Sequence, residues 1–197
     1  MIRGLECSLY LASRSPRRRE LLAQIGVKFE VMEVDVEESV ASGESPRAYV
    51  ERLARAKAEA GWQHLQHGKL PAAPVLGVDT VVAVDGRILG KPADRREAAE
   101  MLATLSGRRH EVLTAIALRR ESQLESVVSV SEVSFKALSG DEIRQYVATG
   151  ECDDKAGAYA IQGRGAQFVI ELHGSFSGVM GLPLYETAQL IERISGG

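Results

Sequence analysis

The stretch from Val75 to Val84 constrains the fold more than any other, because it is apolar and rich in β-branched residues. Such a run predicts a buried central strand. Asp85 and Gly86 follow it and are a strong signal for a hairpin turn into a short strand at 87–89. Asp79 interrupts the run, and a carboxylate in a core strand costs several kcal/mol unless a cation or a metal ion compensates it. Asp79 is therefore a candidate functional residue, although an aspartate that caps a neighbouring element at a strand end would produce the same pattern.

The rest of the chain alternates strands with helices. Signals for a helix start recur at four places, Ser15-Pro16, Ser45-Pro46, Asp94-x-x-Glu97 and Ser139-x-x-Glu142. Apolar periodicity predicts strands at 9–12, 29–36, 75–84, 87–89, 112–118, 127–135 and 168–172, and a last helix at 184–194. This order mixes hairpins with βα units, and 197 residues suffice for about one domain. The sequence predicts a single α/β domain over 1–197.

Composition excludes several classes of protein. The chain is 45% hydrophobic, 26% charged and carries a net charge of −3, so it is neither disordered nor a basic protein that coats nucleic acid. No apolar run approaches the ~20 residues of a membrane span, and Met1–Ser8 lacks the apolar core of a signal peptide. Cys7 and Cys152 lie far apart with no CxxC motif, which is typical of isolated thiols in a reducing cytosol. We expect a cytoplasmic protein without a membrane or nucleic-acid partner.

A local anion site is predicted at the start of the first helix. Backbone N–H groups and the guanidinium groups of Arg17 and Arg18 converge there behind Ser13, and phosphate is the natural ligand of such a site. The alternative is an ordinary helix with solvated arginines, since cations oppose the dipole at a helix N-terminus. Ser13 and Ser15 are interpreted as turn and cap residues rather than nucleophiles, because neither lies in a GxSxG motif.

Two further charged segments complete a candidate site. Lys91 follows the hairpin and is placed to return to the end of the sheet that carries Asp79, although an exposed loop lysine is the alternative. Glu38, beside Glu37, supplies a hard oxygen ligand of the kind that Mg²⁺ uses together with substrate phosphates, or else belongs to a solvated acidic loop. Carboxylates and cations together indicate metal-assisted phosphoryl or nucleotidyl transfer, without a P-loop or kinase motifs.

A pair of histidines offers a competing metal site. His64 and His67 lie three residues apart near the end of the second helix, but polar neighbours and Gly68 favour a solvated helix end.

Six short motifs occur in a fixed order along nearly the whole chain, and together they resemble the Maf-like nucleoside triphosphate pyrophosphatases. These motifs are Ser13-Arg14-Ser15-Pro16-Arg17-Arg18, Gly77-Val78-Asp79-Thr80, Gly90-Lys91-Pro92, Leu105-Ser106-Gly107, Asp154-Lys155-Ala156-Gly157-Ala158-Tyr159 and Gly181-Leu182-Pro183-Leu184. The resemblance implies a Maf/ITPase-like α/β fold, with a long curved mixed sheet flanked by helices and two lobes around a central cleft. It also implies hydrolysis of a nucleoside triphosphate to the monophosphate and pyrophosphate with a divalent cation, Mg²⁺ or Mn²⁺.

The resemblance assigns roles residue by residue. It implies Asp79 as the general base, Glu38 as an acidic residue that holds the cation together with Asp79, and Lys91 as a further catalytic residue. The residues that it implies for substrate binding are Ser13, Arg17, Arg18, Lys57, Thr80 and Gln162. It further suggests a homodimer and the removal of non-standard or excess nucleotides.

The segment Gly157–Gly163 looks like the branch of the family that acts on dTTP and UTP. Arg17, Thr80 and Gln162 match the specificity positions of that branch, whereas the 7-methyl-GTP branch typically has a Ser-Glu pair shortly before the matching glycine. Cys152 and Phe176 depart from the usual proline and tyrosine, away from the implied chemistry. The competing hypothesis is a nucleotide- or nucleic-acid-binding regulator without turnover. The carboxylates argue against it, because they repel phosphate.

Overall fold

The structure is a computed structural model that describes residues 8–195. Its strands are β1 (Ser8–Ala12), β2 (Lys28–Val31), β3 (Val75–Val84), β4 (Arg87–Leu89), β5 (Arg109–Arg120), β6 (Gln123–Phe135) and β7 (Val169–His173). Its α-helices are α1 (Pro16–Gln24), α2 (Pro46–Gly68), α3 (Arg95–Leu105), α4 (Gly140–Ala148), α5 (Phe176–Met180) and α6 (Leu184–Ser195). Two short 3-10 helices, Ala156–Ala158 and Arg164–Phe168, lie between α4 and β7.

The strands form one mixed seven-stranded sheet in the order β2-β1-β3-β5-β6-β7, with β4 paired to β3. The pairings of β1 with β2 and with β3 are parallel, and the other pairings are antiparallel. This sheet and its flanking helices confirm the predicted α/β class.

One edge of the central strand β3 is shared by two partners that do not meet. Strand β1 pairs with β3 only as far as Gly77, and β4 pairs with it only from Val82 onward. No strand of the described chain therefore lies on that edge of the four residues between these pairings. Asp79 and Thr80 lie in this gap, so both can reach the same space although successive side chains of a strand point to opposite faces.

Two hydrophobic cores lie along one face of β3 with a polar step between them. Leu76 and Val78 pack in one core together with β1, α1 and α6, whereas Val82 and Val84 pack in the other together with α3 and α4. Between them stands Thr80, which pairs in register with Thr114 of β5. The sheet thus spans two separately packed halves, as the predicted two-lobed arrangement requires. Thr80, the polar residue between the two cores, lies at the cleft.

Helix α2 covers the opposite face of β3, and Gly77 allows it to come close. A Cβ atom on Gly77 would lie 2.2 Å from the carbonyl oxygen of Ala54 and 2.4 Å from the amide nitrogen of Ala58. Only glycine fits there, because the obstructing atoms belong to helix backbone. The close approach carries Lys57, which lies between those two alanines, onto the strand that bears Asp79.

The second strand ends earlier than its sequence pattern predicts. β2 stops at Val31 rather than residue 36, because β1, its one neighbour among residues 8–195, ends at Ala12 and Met32 makes the last backbone bond, to Leu11. Residues 32–44 form no helix or strand and instead bring Glu38 to the cleft.

Other boundaries differ less. Strands β5 and β6 are longer than predicted, and α5 occupies part of the glycine-rich turn, where the Ser175 hydroxyl caps the amide of Gly178. Cys152 is buried and free, while Cys7 lies outside the described residues. None of the described helices is both long enough and apolar enough to cross a bilayer.

Candidate active site

A cavity of about 810 Å³ opens at the gap in the edge of β3. It brings together all nine residues that the sequence marked for the site: Ser13, Arg17, Arg18, Glu38, Lys57, Asp79, Thr80, Lys91 and Gln162. These residues come from α1, α2, β3 and four loops. They come together only in the tertiary structure, and no local sequence pattern predicts this arrangement.

Lys57 neutralises the buried carboxylate. Its Nζ lies 2.7 Å from Oδ1 of Asp79 and 2.7 Å from Oε1 of Glu38, so that one ammonium group joins both acids. Asp79 is only 8% exposed, and an isolated carboxylate at that depth would be strongly destabilising. The pairing compensates the charge but also holds two carboxylates side by side facing the cavity, an arrangement that a purely structural cap does not need.

The loop that carries Glu38 is held from below by Tyr49. The Tyr49 hydroxyl donates a hydrogen bond of 2.8 Å to the backbone carbonyl of Glu38. Burial raises the pKa of Tyr49 to about 12, reinforced by the negative charges of Asp79 and Glu38, so the hydroxyl remains a donor. The sequence did not predict Tyr49 as a site residue, since a tyrosine on a helix face typically indicates a core position.

Glu38 is ionised at neutral pH. Partial burial raises the pKa of its carboxyl group, but the hydrogen bond and charge of Lys57, with smaller contributions from Lys91 and Arg18, lower it further than burial raises it. The net pKa lies below the ordinary glutamate value.

The donor set suits a hard divalent cation that is completed by substrate. Asp79 and Glu38 supply two carboxylates, and among residues 8–195 no cluster of three metal-ligating side chains exists. Mg²⁺ typically takes one or two carboxylates together with phosphate oxygens and water, so two acids at a phosphate cavity fit it. Within residues 8–195 no further metal-ligating side chain joins His64 and His67 in a cluster of three, and Nδ1 of His67 lies 2.7 Å from the backbone carbonyl of Gln63 in its own helix.

Arg18 is largely occupied by the protein. Its Nε donates to the carbonyl of Gly181 (3.0 Å), Nη1 to the Ser13 hydroxyl (3.0 Å) and the Val78 carbonyl (2.9 Å), and Nη2 to the Thr80 hydroxyl (3.2 Å). A guanidinium group has five N–H donors, so one remains for a ligand. Arg18 therefore ties α1 to the open edge of β3 and to the turn after α5, in addition to any contact with phosphate.

A chain of hydrogen bonds fixes the polarity of the Thr80 hydroxyl. Thr114 Oγ1 lies 2.7 Å from the carbonyl of Gly178, to which it must donate its single proton. The 2.9 Å contact between the two threonine hydroxyls is then donated by Thr80. Having used its proton, Thr80 accepts from Arg18 and can only accept from a ligand.

Arg17 crosses the cleft to the segment before the first 3-10 helix. Its Nη1 lies 3.1 Å from Oδ2 of Asp154, and Asp154 also pairs with Lys155. Partial burial raises the pKa of Asp154, but hydrogen bonds and charge from Lys155 and Arg17 outweigh it, and the pKa lies below the ordinary value. Asp154 and Lys155 line the cavity and were in a family motif, yet they were not predicted as site residues.

Lys91 and Gln162 lie exposed at the cleft. Within residues 8–195 Lys91 has no ion-pair partner at 4 Å or less, and its loop is fastened where the Gly157 amide bonds the carbonyl of Gly90 at 3.0 Å. Lys91 is thus a cation available to a ligand. Ser13, in contrast, is buried and serves the turn, because its hydroxyl accepts from Arg18 and from the amide of Ser15.

Comparisons with known proteins show the family of this chain. A family model described as Maf-like protein matches residues 8–194. The dTTP/UTP pyrophosphatase of Aromatoleum aromaticum is 54% identical over 97% of this chain and 97% of its own. That of Dechloromonas aromatica is 51% identical over 94% of this chain and 96% of its own. The Ham1 protein structure of Staphylococcus aureus superposes with a TM-score of 0.44 at 16% identity, covering 65% of this chain and 71% of that one.

The family model spans almost every described residue, and about half of all positions are identical to full-length relatives. The resemblance found in six motifs is confirmed over the entire fold, and the chain belongs to the Maf-like protein family.

Proposed function

We propose that this chain is a nucleoside triphosphate pyrophosphatase that hydrolyses dTTP and UTP to the monophosphate and pyrophosphate. The names of its full-length relatives support the substrate. The single observation that carries the chemistry is the buried pair of Asp79 with Lys57, joined by Glu38, at the floor of a cavity whose walls are cationic.

In this reaction Asp79 accepts a proton from water as the water oxygen attacks the α-phosphorus. A new P–O bond forms, the bond from the α-phosphorus to the bridging oxygen breaks, and pyrophosphate leaves with that oxygen. Lys57 keeps the Asp79 carboxylate oriented, and Lys91 and Arg17 balance the charge on the departing phosphates.

Asp79 and Glu38 are the residues that would hold a divalent cation, Mg²⁺ or Mn²⁺, which when bound supplies positive charge to the phosphate oxygens. The carboxylates explain why a cation is needed, since they would otherwise repel the triphosphate. A binding protein without turnover would not benefit from carboxylates that repel its polyanionic ligand.

The base is read by Gln162 in this proposal. A primary amide donates and accepts at once, and can pair with the adjacent carbonyl and N–H on the edge of uracil or thymine. The acceptor-only hydroxyl of Thr80 complements a donor on the nucleoside. A homodimer, a cytoplasmic location and the absence of a nucleic-acid partner stay predictions.

A product-resolved substrate screen tests the function. Natural and modified nucleoside triphosphates are incubated with and without Mg²⁺ or Mn²⁺, and pyrophosphate is distinguished from orthophosphate. We expect pyrophosphate release from dTTP and UTP that depends on the cation. Release of orthophosphate, or a preference for 7-methyl-GTP, would contradict the proposal.

A further inference from the structure

The carboxylate of Glu151 holds the segment that carries Gln162 by hydrogen bonds. Glu151, just after α4, accepts the amide N–H of Arg164 at 3.0 Å and that of Gly165 at 3.1 Å. It also accepts the hydroxyl of Tyr146 at 2.9 Å. Both backbone bonds lie just after Gln162 in the chain.

Tyr146 holds the other flank of the same segment. Its hydroxyl accepts the amide N–H of Ala160 at 3.0 Å while it donates to Glu151. Tyr146 is 3% exposed, and its ring packs edge-on against Phe168 at 5.0 Å, so the hydroxyl is anchored in a hydrophobic core. Residues 160–165 are therefore held before and after Gln162 by one connected pair of side chains.

The held segment is also tightly packed. A Cβ atom on Gly163 would lie 2.4 Å from Oε2 of Glu151, and one on Gly165 would lie 2.7 Å from the carbonyl oxygen of Ala160. The turn itself is closed by a bond from the Gly163 amide to the Ala160 carbonyl at 3.2 Å. Ala160, Ile161 and Gln162 of this turn line the cavity, and of these three Gln162 carries the polar side chain.

Glu151 acts here through hydrogen bonds with neutral donors. Within residues 8–195 no lysine, arginine or histidine lies within ion-pair distance of its carboxylate. Burial raises the pKa of Glu151, but the hydrogen bonds from the Arg164 amide, the Tyr146 hydroxyl and the Gly165 amide, with a smaller contribution from the charge of Lys155, outweigh it and keep the group ionised. A carboxylate that accepts hydrogen bonds from three neutral donors fixes the positions of those donors and does not neutralise a cation.

We propose that Glu151, acting with Tyr146, is a positioning residue for base selectivity, because it sets where Gln162 meets the pyrimidine ring. This inference rests on the proposed function. Glu151 does not line the cavity, so its effect must pass through the segment that it holds.

Glu151→Gln tests this with a minimal change of shape. The amide keeps one acceptor oxygen, but its NH₂ group faces one of the two backbone N–H donors, which loosens the turn. We expect the ratio of kcat/KM for UTP to that for CTP to fall about tenfold, matching the fall in Gln162→Ala. We also expect hydrogen exchange at the Arg164 and Gly165 amides to quicken about tenfold or more.

Two further variants sharpen the test. Tyr146→Phe removes the hydroxyl without altering charge and should lower the same ratio. Glu142→Gln is the matched control, because Glu142 also accepts a backbone N–H, that of Ser139 at 2.8 Å, but caps α4 away from the cavity. It should leave the UTP/CTP ratio unchanged.

The double variant Gln162→Ala with Glu151→Gln decides the route of the effect. If Glu151 works through Gln162, the second change adds no further loss of selectivity. Additive losses, or an equal loss on every triphosphate in Glu151→Gln, would overturn the inference while the proposed function stands. An unchanged ratio in Gln162→Ala alone would overturn the proposed base contact, and the inference with it.

Discussion

Lys57 Nζ lies 2.7 Å from Asp79 Oδ1, and this contact joins helix α2 to the central strand β3 at the bottom of the cleft. It exists because Gly77 lets the helix backbone settle against the strand two residues before Asp79. The same ammonium reaches Glu38 on a loop without secondary structure. A feature of packing thus assembles the acidic centre on which the proposed chemistry depends.

Asp79→Asn should abolish most turnover while preserving the fold. The amide still accepts a bond from Lys57 but cannot take up a proton, and we expect kcat to fall by roughly 100-fold or more. Asp85→Asn, on the exposed hairpin turn, is the matched control and should be near wild type. Near wild-type turnover in Asp79→Asn would make Asp79 a structural residue.

Lys91→Ala and Arg18→Ala should separate catalysis from architecture. Lys91 lacks an ion-pair partner within the described chain, so its loss should lower kcat/KM by the equivalent of about 2 to 4 kcal/mol without affecting the melting temperature. Arg18→Ala leaves the carbonyls of Val78 and Gly181 without their donors and should also destabilise the protein by about 3 kcal/mol.

Kinetics and thermal unfolding of both variants check this contrast, with Arg19→Ala, an exposed neighbour on α1, as control. Unchanged kinetics in Lys91→Ala would show that Lys91 is a solvated loop lysine without a role in catalysis. An unchanged melting temperature in Arg18→Ala would mean that its four bonds contribute little.

Gly77→Ala should disrupt the site through packing. The new methyl group would meet the backbone of Ala54 and Ala58, so α2 must retreat, at a cost of about 3 kcal/mol or more, and withdraw Lys57 from Asp79. Gly68→Ala, at the end of α2, is the control for glycine replacement, because its nearest contact would be the Leu70 side chain at 3.5 Å. Equal urea midpoints for the two variants would refute the close approach.

His110 should make the folded state sensitive to mild acid. Burial lowers the pKa of His110 to about 4, well below the ordinary value of 6.5. Between these values the unfolded chain binds the proton and the folded protein does not, so the free energy of unfolding falls as pH drops from about 6.5 to about 4. The full effect is about 3 kcal/mol.

Urea unfolding at several pH values in this window measures that slope. His110→Gln removes the titrating group and can keep a hydrogen bond to the Tyr159 hydroxyl, so its slope should be shallower. Identical slopes in wild type and variant would show that His110 is not the responsible group.

Most helices and strands, and the set of candidate residues that meet at the cavity, could be predicted from the amino-acid sequence. Helix-start signals at Ser45 and Ser139 are realised as caps in the structure, since each hydroxyl accepts a backbone N–H three residues on. The β-branched run became β3 with the bounds predicted for it. These features succeed because capping, turn chemistry and strand patterning depend on neighbours within a few residues.

The contacts that those residues make depend on the tertiary structure. β2 ends early because β1 gives it no further partner, and Arg18 is largely committed to protein acceptors up to 163 residues away. Glu151 grips a turn 13 and 14 residues further along the chain, and Lys57 meets an acid 22 residues on. Such partners are chosen by how helices and strands pack, so they carry no local signal in the amino-acid sequence.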